Sequence, residues 1–169
     1  MGNQVCCPLE YTTELLELRL AYSFLAGDML TLVLNDEGEV MFHWGMRDFS
    51  KTPDRDEIIS FVAELQRWHR IYPELFADAR MIKPLGFDCP EIILDMRWGR
   101  KGQRESSVLT TAWQVGERRV QLLVNYTHEP RECVFADTIP GARLRMGEKV
   151  SDFDGRLVLP PLGVAAVEF

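Results

Sequence analysis

Apolar positions recur at helical spacing twice in the first half of the chain. Leu15, Leu18, Tyr22 and Leu25 follow one another at i, i+3, i+7 and i+10, and Leu16, Leu20 and Phe24 run beside them as a second stripe. Two stripes make a wide apolar face, so the spacing predicts a helix over 12–26 that is buried against something large. Thr12 or Thr13 serves as its N-cap, Glu14 and Glu17 lie in its first turn against the positive end of the dipole, and Gly27 is its C′ stop. A second helix opens at Thr52-Pro53-Asp54, where proline is tolerated and Asp54, Asp56 and Glu57 suit the N-terminus. Ile58, Phe61, Val62, Leu65, Trp68, His69 and Tyr72 then recur with the helical period as far as Pro73, which either closes the segment or starts a further turn. Between the helices, 29–34 and 39–44 flank Asn35-Asp36-Glu37-Gly38, the pattern of a hairpin. The first of those runs also fits a helical segment, because six residues do not settle a period.

From Arg80 onward the period is that of strands. Runs at 91–98, 106–114, 118–126, 132–137, 142–146, 156–159 and 164–169 are separated by glycine and proline, and Gly116-Glu117 reads as a tight turn. Val120, Leu122, Val124 and Tyr126 share one face of their strand. The pattern predicts an α+β fold, with a helix-rich segment over 1–82 and an antiparallel β-sandwich over 83–169.

Charge and composition narrow the functional classes. The net charge is −7, and all of it falls in residues 1–82, while 83–169 are balanced. An acidic half joined to a neutral half excludes the basic stripe that nucleic acid requires. The longest apolar stretch, 29–34, is far short of the ~20 residues that span a bilayer, so no membrane partner is expected. The opening residues show neither a basic-then-apolar secretory signal nor, with Cys6 at the sixth position, the myristoylation pattern. Cys6, Cys7, Cys89 and Cys133 form no CxxC pair and no Cys/His cluster, so neither a metal site nor a cofactor is expected. Four reduced thiols point to a cytoplasmic location.

Four segments carry a resemblance when taken in order. They are LAYSFLAGDMLTLVL at 20–34, RIYPELFADARMI at 70–82, VQLLVNYTHEP at 120–130 and DGRLVLPPLGVAAVEF at 154–169. Together they resemble the C-terminal part of glycoside-hydrolase-type proteins, in which a (β/α)8 barrel is followed by a small β-sandwich. Within these the chain is most similar to an uncharacterised group known as a domain of unknown function. The resemblance implies that 1–82 correspond to the last units of the barrel and that the sandwich is a structural or accessory domain. A whole barrel takes about 250 residues and only about 80 precede the sandwich, so the barrel positions that hold an acid and a nucleophile would lie upstream. The expectation is therefore a fragment, or a reduced natural product, with no catalytic residues of its own. The alternative is a stand-alone carbohydrate-binding or protein-interaction module.

Glycoside hydrolysis usually needs two carboxylates about 5–9.5 Å apart across a sugar. Asp28, Asp48, Asp78 and Asp95 lie near apolar segments, but no pair is singled out by spacing, and Asp28 and Asp78 read equally as turn or cap residues. His43-Trp44-Gly45 is the triplet with most promise for binding. At the end of a late barrel strand, Trp44 would face the mouth and stack on a sugar, with His43 pointing the other way. A core Trp44 and a hydrogen-bonded His43 are the competing roles. Trp113 and Trp98 are either surface platforms for carbohydrate or core residues, whereas Trp68 and His69 read as packing on their helix. His128 reads as a solvated turn residue, and Arg97, Arg100, Lys101 and Arg104 as a basic hairpin tip. The double-stripe helix near 12–26 adds a further expectation, self-association or docking of a missing barrel partner through that helix.

Overall fold

The computed structural model describes residues 13–30, 33–38, 40–41, 54–95, 101–137 and 139–169. Its fold is α+β. Helix α1 (Thr13–Leu25) leads into a short antiparallel pair, β1 (Val33–Leu34) and β2 (Val40–Met41), in which Leu34 faces Val40 across the Asn35–Gly38 turn. Helix α2 (Arg55–Ile71) and the single-turn α3 (Pro73–Ala77) complete the helical part. Pro73 occupies the first turn of α3, so the chain takes the further turn that the sequence allowed.

The strands that follow are β3 (Arg80–Ile82), β4 (Phe87–Asp88), β5 (Glu91–Leu94), β6 (Gln103–Ser106), β7 (Val108–Val115), β8 (Arg118–Asn125), β9 (Arg131–Phe135), β10 (Arg143–Met146), β11 (Lys149–Asp152), β12 (Arg156–Leu159) and β13 (Val164–Glu168). One sheet has the order β11-β10-β13-β8-β7-β3, a second has β12-β9-β4, and β5 pairs with β6. Every pairing is antiparallel. β3, β4, β6 and β11 were not foreseen from the pattern. They are short, and segments such as Gln-Arg-Glu-Ser and Lys-Val-Ser-Asp carry no apolar alternation to reveal them.

The larger sheet is covered on both faces, and its side-chain alternation sorts the two cores. Val120, Leu122 and Val124 of β8, Leu109 and Trp113 of β7, and Val164 and Ala166 of β13 pack with the helices. Leu123, Ala165 and Val167, on the other face, pack with Cys133, Phe135, Leu157 and Leu159 of the smaller sheet. The layers are thus helices, large sheet and small sheet. In α1, Leu15, Leu16, Leu18, Leu20, Ala21, Phe24 and Leu25 are all buried, and Tyr22 is the exposed member of the stripes, at 52%. Among the described residues no helix is long and apolar enough to cross a membrane.

Helix α2 is capped by Asp54, whose Oδ1 accepts from Glu57 N at 3.0 Å, and it buries Ile58, Phe61, Leu65 and Trp68 along one stripe. Its last residue before the break, Tyr72, links it to the sheet. Tyr72 Oη donates to Glu168 Oε1 at 2.5 Å and accepts from Arg145 Nε at 3.1 Å. The guanidiniums of Arg118 and Arg145 lie 5.1 and 5.8 Å from the Tyr72 ring centroid. Arg118 also pairs with Glu74 at 2.7 Å and with Glu168 at 3.2 Å.

This network makes stability depend on pH. Burial by itself would raise the Glu168 carboxyl, but the Tyr72 hydrogen bond and the two arginines outweigh burial and hold it below its ordinary value of 4.5. At Glu64 burial likewise pulls upward, and the hydrogen bonds from Arg67 and Trp68, with the Arg67 charge, outweigh it and hold the carboxyl below its ordinary value. A carboxyl lowered in the folded state contributes stability that is present above pH 4.5 and is lost as pH falls through the folded-state value. Acid titration of urea stability is therefore expected to show a decline beginning near pH 4.5 and continuing below it. The decline should be shallower in Glu168→Gln. An identical acid limb in the variant would show that Glu168 does not drive it.

Candidate functional site

The second core reaches its end at a turn that the sequence marks by Asn-Tyr-Thr. Asn125 closes β8 and is fully buried. Its Oδ1 accepts from Thr127 N at 2.9 Å and from Thr127 Oγ1 at 2.8 Å, an Asx turn. Its Nδ2 donates to the carbonyls of Glu129 and Pro160, each at 2.8 Å. Arg131 Nε donates to Thr127 Oγ1 at 2.9 Å, and Tyr126 Oη reaches back to the Ser106 carbonyl at 2.8 Å.

The neighbouring turn, Pro160-Pro161-Leu162-Gly163, braces the first. Leu162 N donates to Thr127 O at 3.1 Å, and Asn125 N donates to Gly163 O at 2.9 Å. Leu162 adopts φ 51°, and a Cβ at Gly163 would stand 2.6 Å from Pro160 Cγ and 2.9 Å from the Pro160 carbonyl oxygen. The turn is too tight at that point for any residue but glycine.

The braced turn projects His128 onto the helices. His128 Nε2 lies 3.0 Å from Glu17 Oε2, and its Nδ1 lies 3.6 Å from Glu57 Oε2. Three elements therefore meet here: α1 through Glu17, the first turn of α2 through Glu57, and the β8–β9 turn through His128. The burial is graded. The side chain of Glu17 is 0% exposed, that of Glu57 is 34% exposed and that of His128 is 45% exposed. Glu17 Oε1 is buried and has no hydrogen-bond partner among the described residues. Burial, the dominant influence, raises the Glu17 carboxyl to about 7 against the opposing pull of His128, with Glu57 and Glu14 adding to the rise. A carboxyl tuned to neutrality beside an imidazole can hold or pass a proton, or offer oxygen to a cation.

This arrangement extends one expectation and corrects another. His128 is the exposed turn residue that the sequence suggests, and it also bridges to Glu17 and Glu57. Glu17 is not a first-turn dipole residue. It lies in the second turn of α1, amid buried leucines. One signal for it was in the sequence. With about 3.6 residues per turn, Glu17 falls between Phe24 and Ala21 on the helical wheel, inside the apolar arc. A charge at such a position needs a buried partner.

Of the residues singled out for binding, Trp113 is the one that lies among the described residues. His43 and Trp44 lie outside the described residues, as do Asp48, Arg97, Trp98 and Arg100. Trp113, on β7, is 8% exposed, and its ring approaches Gly27, where a Cβ would stand 3.5 Å from Trp113 Cη2. Trp68 is fully buried, and its Nε1 donates to Glu64 Oε1 at 2.9 Å. His69 stacks edge-on against Phe76, with ring centroids 3.9 Å apart. Asp95 Oδ1 accepts from Gly102 N at 2.9 Å, Asp28 N donates to Ser23 O at 2.9 Å, and Asp78 caps α3. Arg104 pairs with Glu91 across β5 and β6 at 3.2 Å. Cys89 and Cys133 are unbridged, and burial, followed by Cys89 and Glu132, pushes the Cys133 thiol up to about 12, so it is inert at neutral pH.

No protein-family model matches the chain, and no curated protein does. Solved structures similar to parts of it include glycoside hydrolases. The α-amylase from Geobacillus thermoleovorans is 16% identical, with 92% of this chain and 33% of that one covered and a TM-score of 0.45. Gan42B, a GH42 β-galactosidase from G. stearothermophilus, is 16% identical over 62% of this chain and 12% of its own, with a TM-score of 0.35. The family 30 subfamily 8 xylanase Xyn30A from Clostridium acetobutylicum is 18% identical over 38% of this chain and 20% of its own, with a TM-score of 0.29. The chain thus spans at most a third of the length of any of these three enzymes.

Proposed function

We propose that the chain is the non-catalytic C-terminal portion of a glycosidase-like, carbohydrate-active protein, in which the sandwich is a structural or accessory domain. One observation carries the reading. Two of the four segments that carry the resemblance, 120–130 and 154–169, meet in space, and polar groups of each engage the other's backbone. Asn125 holds the Glu129 and Pro160 carbonyls, and Leu162 N reaches the Thr127 carbonyl. Polar side chains used in this way build a scaffold. Gln121 on the same face acts alike, donating to the Leu85 carbonyl at 3.1 Å and accepting from Leu85 N at 2.7 Å.

In this proposal the partner is the rest of a barrel, or a second copy, meeting the helix near 12–26. Since both stripes of α1 are otherwise covered by the chain itself, the contact would centre on Tyr22 and the exposed Met29. Carbohydrate is the ligand class of the whole protein. The purified chain is expected to release no nitrophenol above background from a panel of nitrophenyl glycosides. Turnover that disappears with one carboxylate-to-amide change, Glu57→Gln included, would overturn the non-catalytic reading.

A further inference from the structure

We propose that Glu17, Glu57 and His128 form a binding site for a divalent transition-metal ion of the zinc type, which ties the two helices to the sandwich. This inference is independent of the carbohydrate reading. One ligand atom from each of the three residues lies within 4.8 Å of the other two, and a single ion would engage all three once the His128 ring turns from its present contacts with the two carboxylates. A separate observation also points to a ligand. Glu17 is fully buried, and while its Oε2 meets His128, its Oε1 has no hydrogen-bond partner among the described residues. A carboxylate oxygen left unpaired in a buried position is costly, and a cation supplies what it lacks.

The donor set selects the ion. One imidazole nitrogen and two carboxylate oxygens suit zinc, with a fourth position open to water. Calcium would need six to eight oxygens and magnesium a near-octahedral shell, which this cluster does not provide. Entry is from the His128 and Glu57 side, since both are partly exposed, while Glu17 forms the floor. The framework is stiff where it must be. The Asx turn of Asn125 and Thr127 fixes the backbone at His128, and the Asp54 cap fixes that at Glu57.

Sequence spacing hides such a site, because His128 follows Glu17 by 111 positions. The test uses the full chain without an affinity tag, with Cys6 and Cys7 changed to serine so that thiols do not compete. Titration calorimetry with zinc chloride should show one ion per chain. Thermal melts at a hundredfold excess over the dissociation constant should rise by about 5–10 °C. Magnesium and calcium chloride should do neither. His128→Ala and Glu57→Gln alter partly exposed side chains, so both should fold by circular dichroism and each should bind zinc at least about tenfold more weakly. Glu17→Gln should also weaken binding. If that variant fails to fold, the other two carry the test. Absence of zinc binding, or binding unchanged in His128→Ala and Glu57→Gln, would overturn the proposal.

Discussion

Asn125→Leu is expected to destabilise the chain by roughly 3 kcal/mol or more, from the loss of several buried hydrogen bonds at once. Asn125 joins four groups: Thr127 N and Oγ1 through its Oδ1, and the Glu129 and Pro160 carbonyls through its Nδ2. Leucine has nearly the same volume and offers neither donor nor acceptor, so packing is roughly kept while those groups are orphaned. Each buried group left unsatisfied costs about 1–3 kcal/mol, and water at the edge of the turn recovers part of it. For a chain of this size, such a loss lowers the melting temperature by about 6–12 °C. Asn125→Asp keeps the acceptor but sets a buried carboxylate oxygen against the Glu129 and Pro160 carbonyls, so at neutral pH it should cost at least as much as leucine. Urea denaturation of the three proteins checks the order. A leucine variant within about 0.5 kcal/mol of wild type would mean that the two turns hold each other without this side chain.

Trp68→Ala should cost about 3–5 kcal/mol, the range for truncating a fully buried large aromatic. Trp68 is 0% exposed and stacks near Tyr72, with ring centroids 6.0 Å apart. It shares a core with Ile58, Phe61 and Leu65 of its own helix and with Val120, Leu122 and Val124 of β8. The cavity would therefore open between the helices and the large sheet. Trp68→Phe fills most of that space and loses the bond from Nε1 to Glu64, so its cost should be smaller, with about 1 kcal/mol of it from that bond. Equilibrium unfolding followed by far-ultraviolet circular dichroism separates the two variants. Equal losses would place the stabilising weight on the Glu64 bond instead of the packed volume.

The same two residues illustrate what was legible in the amino-acid order. Trp68 reads as a packing residue because Ile58, Phe61, Leu65 and Trp68 fall on one helical stripe, and that stripe is the buried one. Periodicity is a local property, so α1, α2 and the central strands β7, β8 and β13 are all anticipated by it. Asn125 is different. The Asn-Tyr-Thr order is visible, but the Pro160 carbonyl it holds comes from a turn 35 positions later. Short polar strands escaped for a related reason. β6 and β11 are strands because a neighbour's edge pairs with them, at Glu91–Leu94 and Arg143–Met146, and their own residues carry no period.

The binding residues read from the sequence, His43, Trp44 and Trp113, rest on side-chain chemistry at strand ends, and chemistry alone does not say which way a side chain faces. Trp113 faces Gly27 because β7 pairs with β8 in a register that sets Trp113 opposite Val120, on the helix-covered face. A shift of one residue would have turned it to the other core. Glu17 marks the boundary most clearly. Its place inside the apolar arc of α1 is determined by spacing alone, and with it the need for a buried partner. That the partner is His128, with Glu57 on its far side, is decided by the tertiary structure. The sheet order carries the β8–β9 turn to the two helices, and hydrogen bonds across 111 positions are a consequence of chain return that no local period encodes.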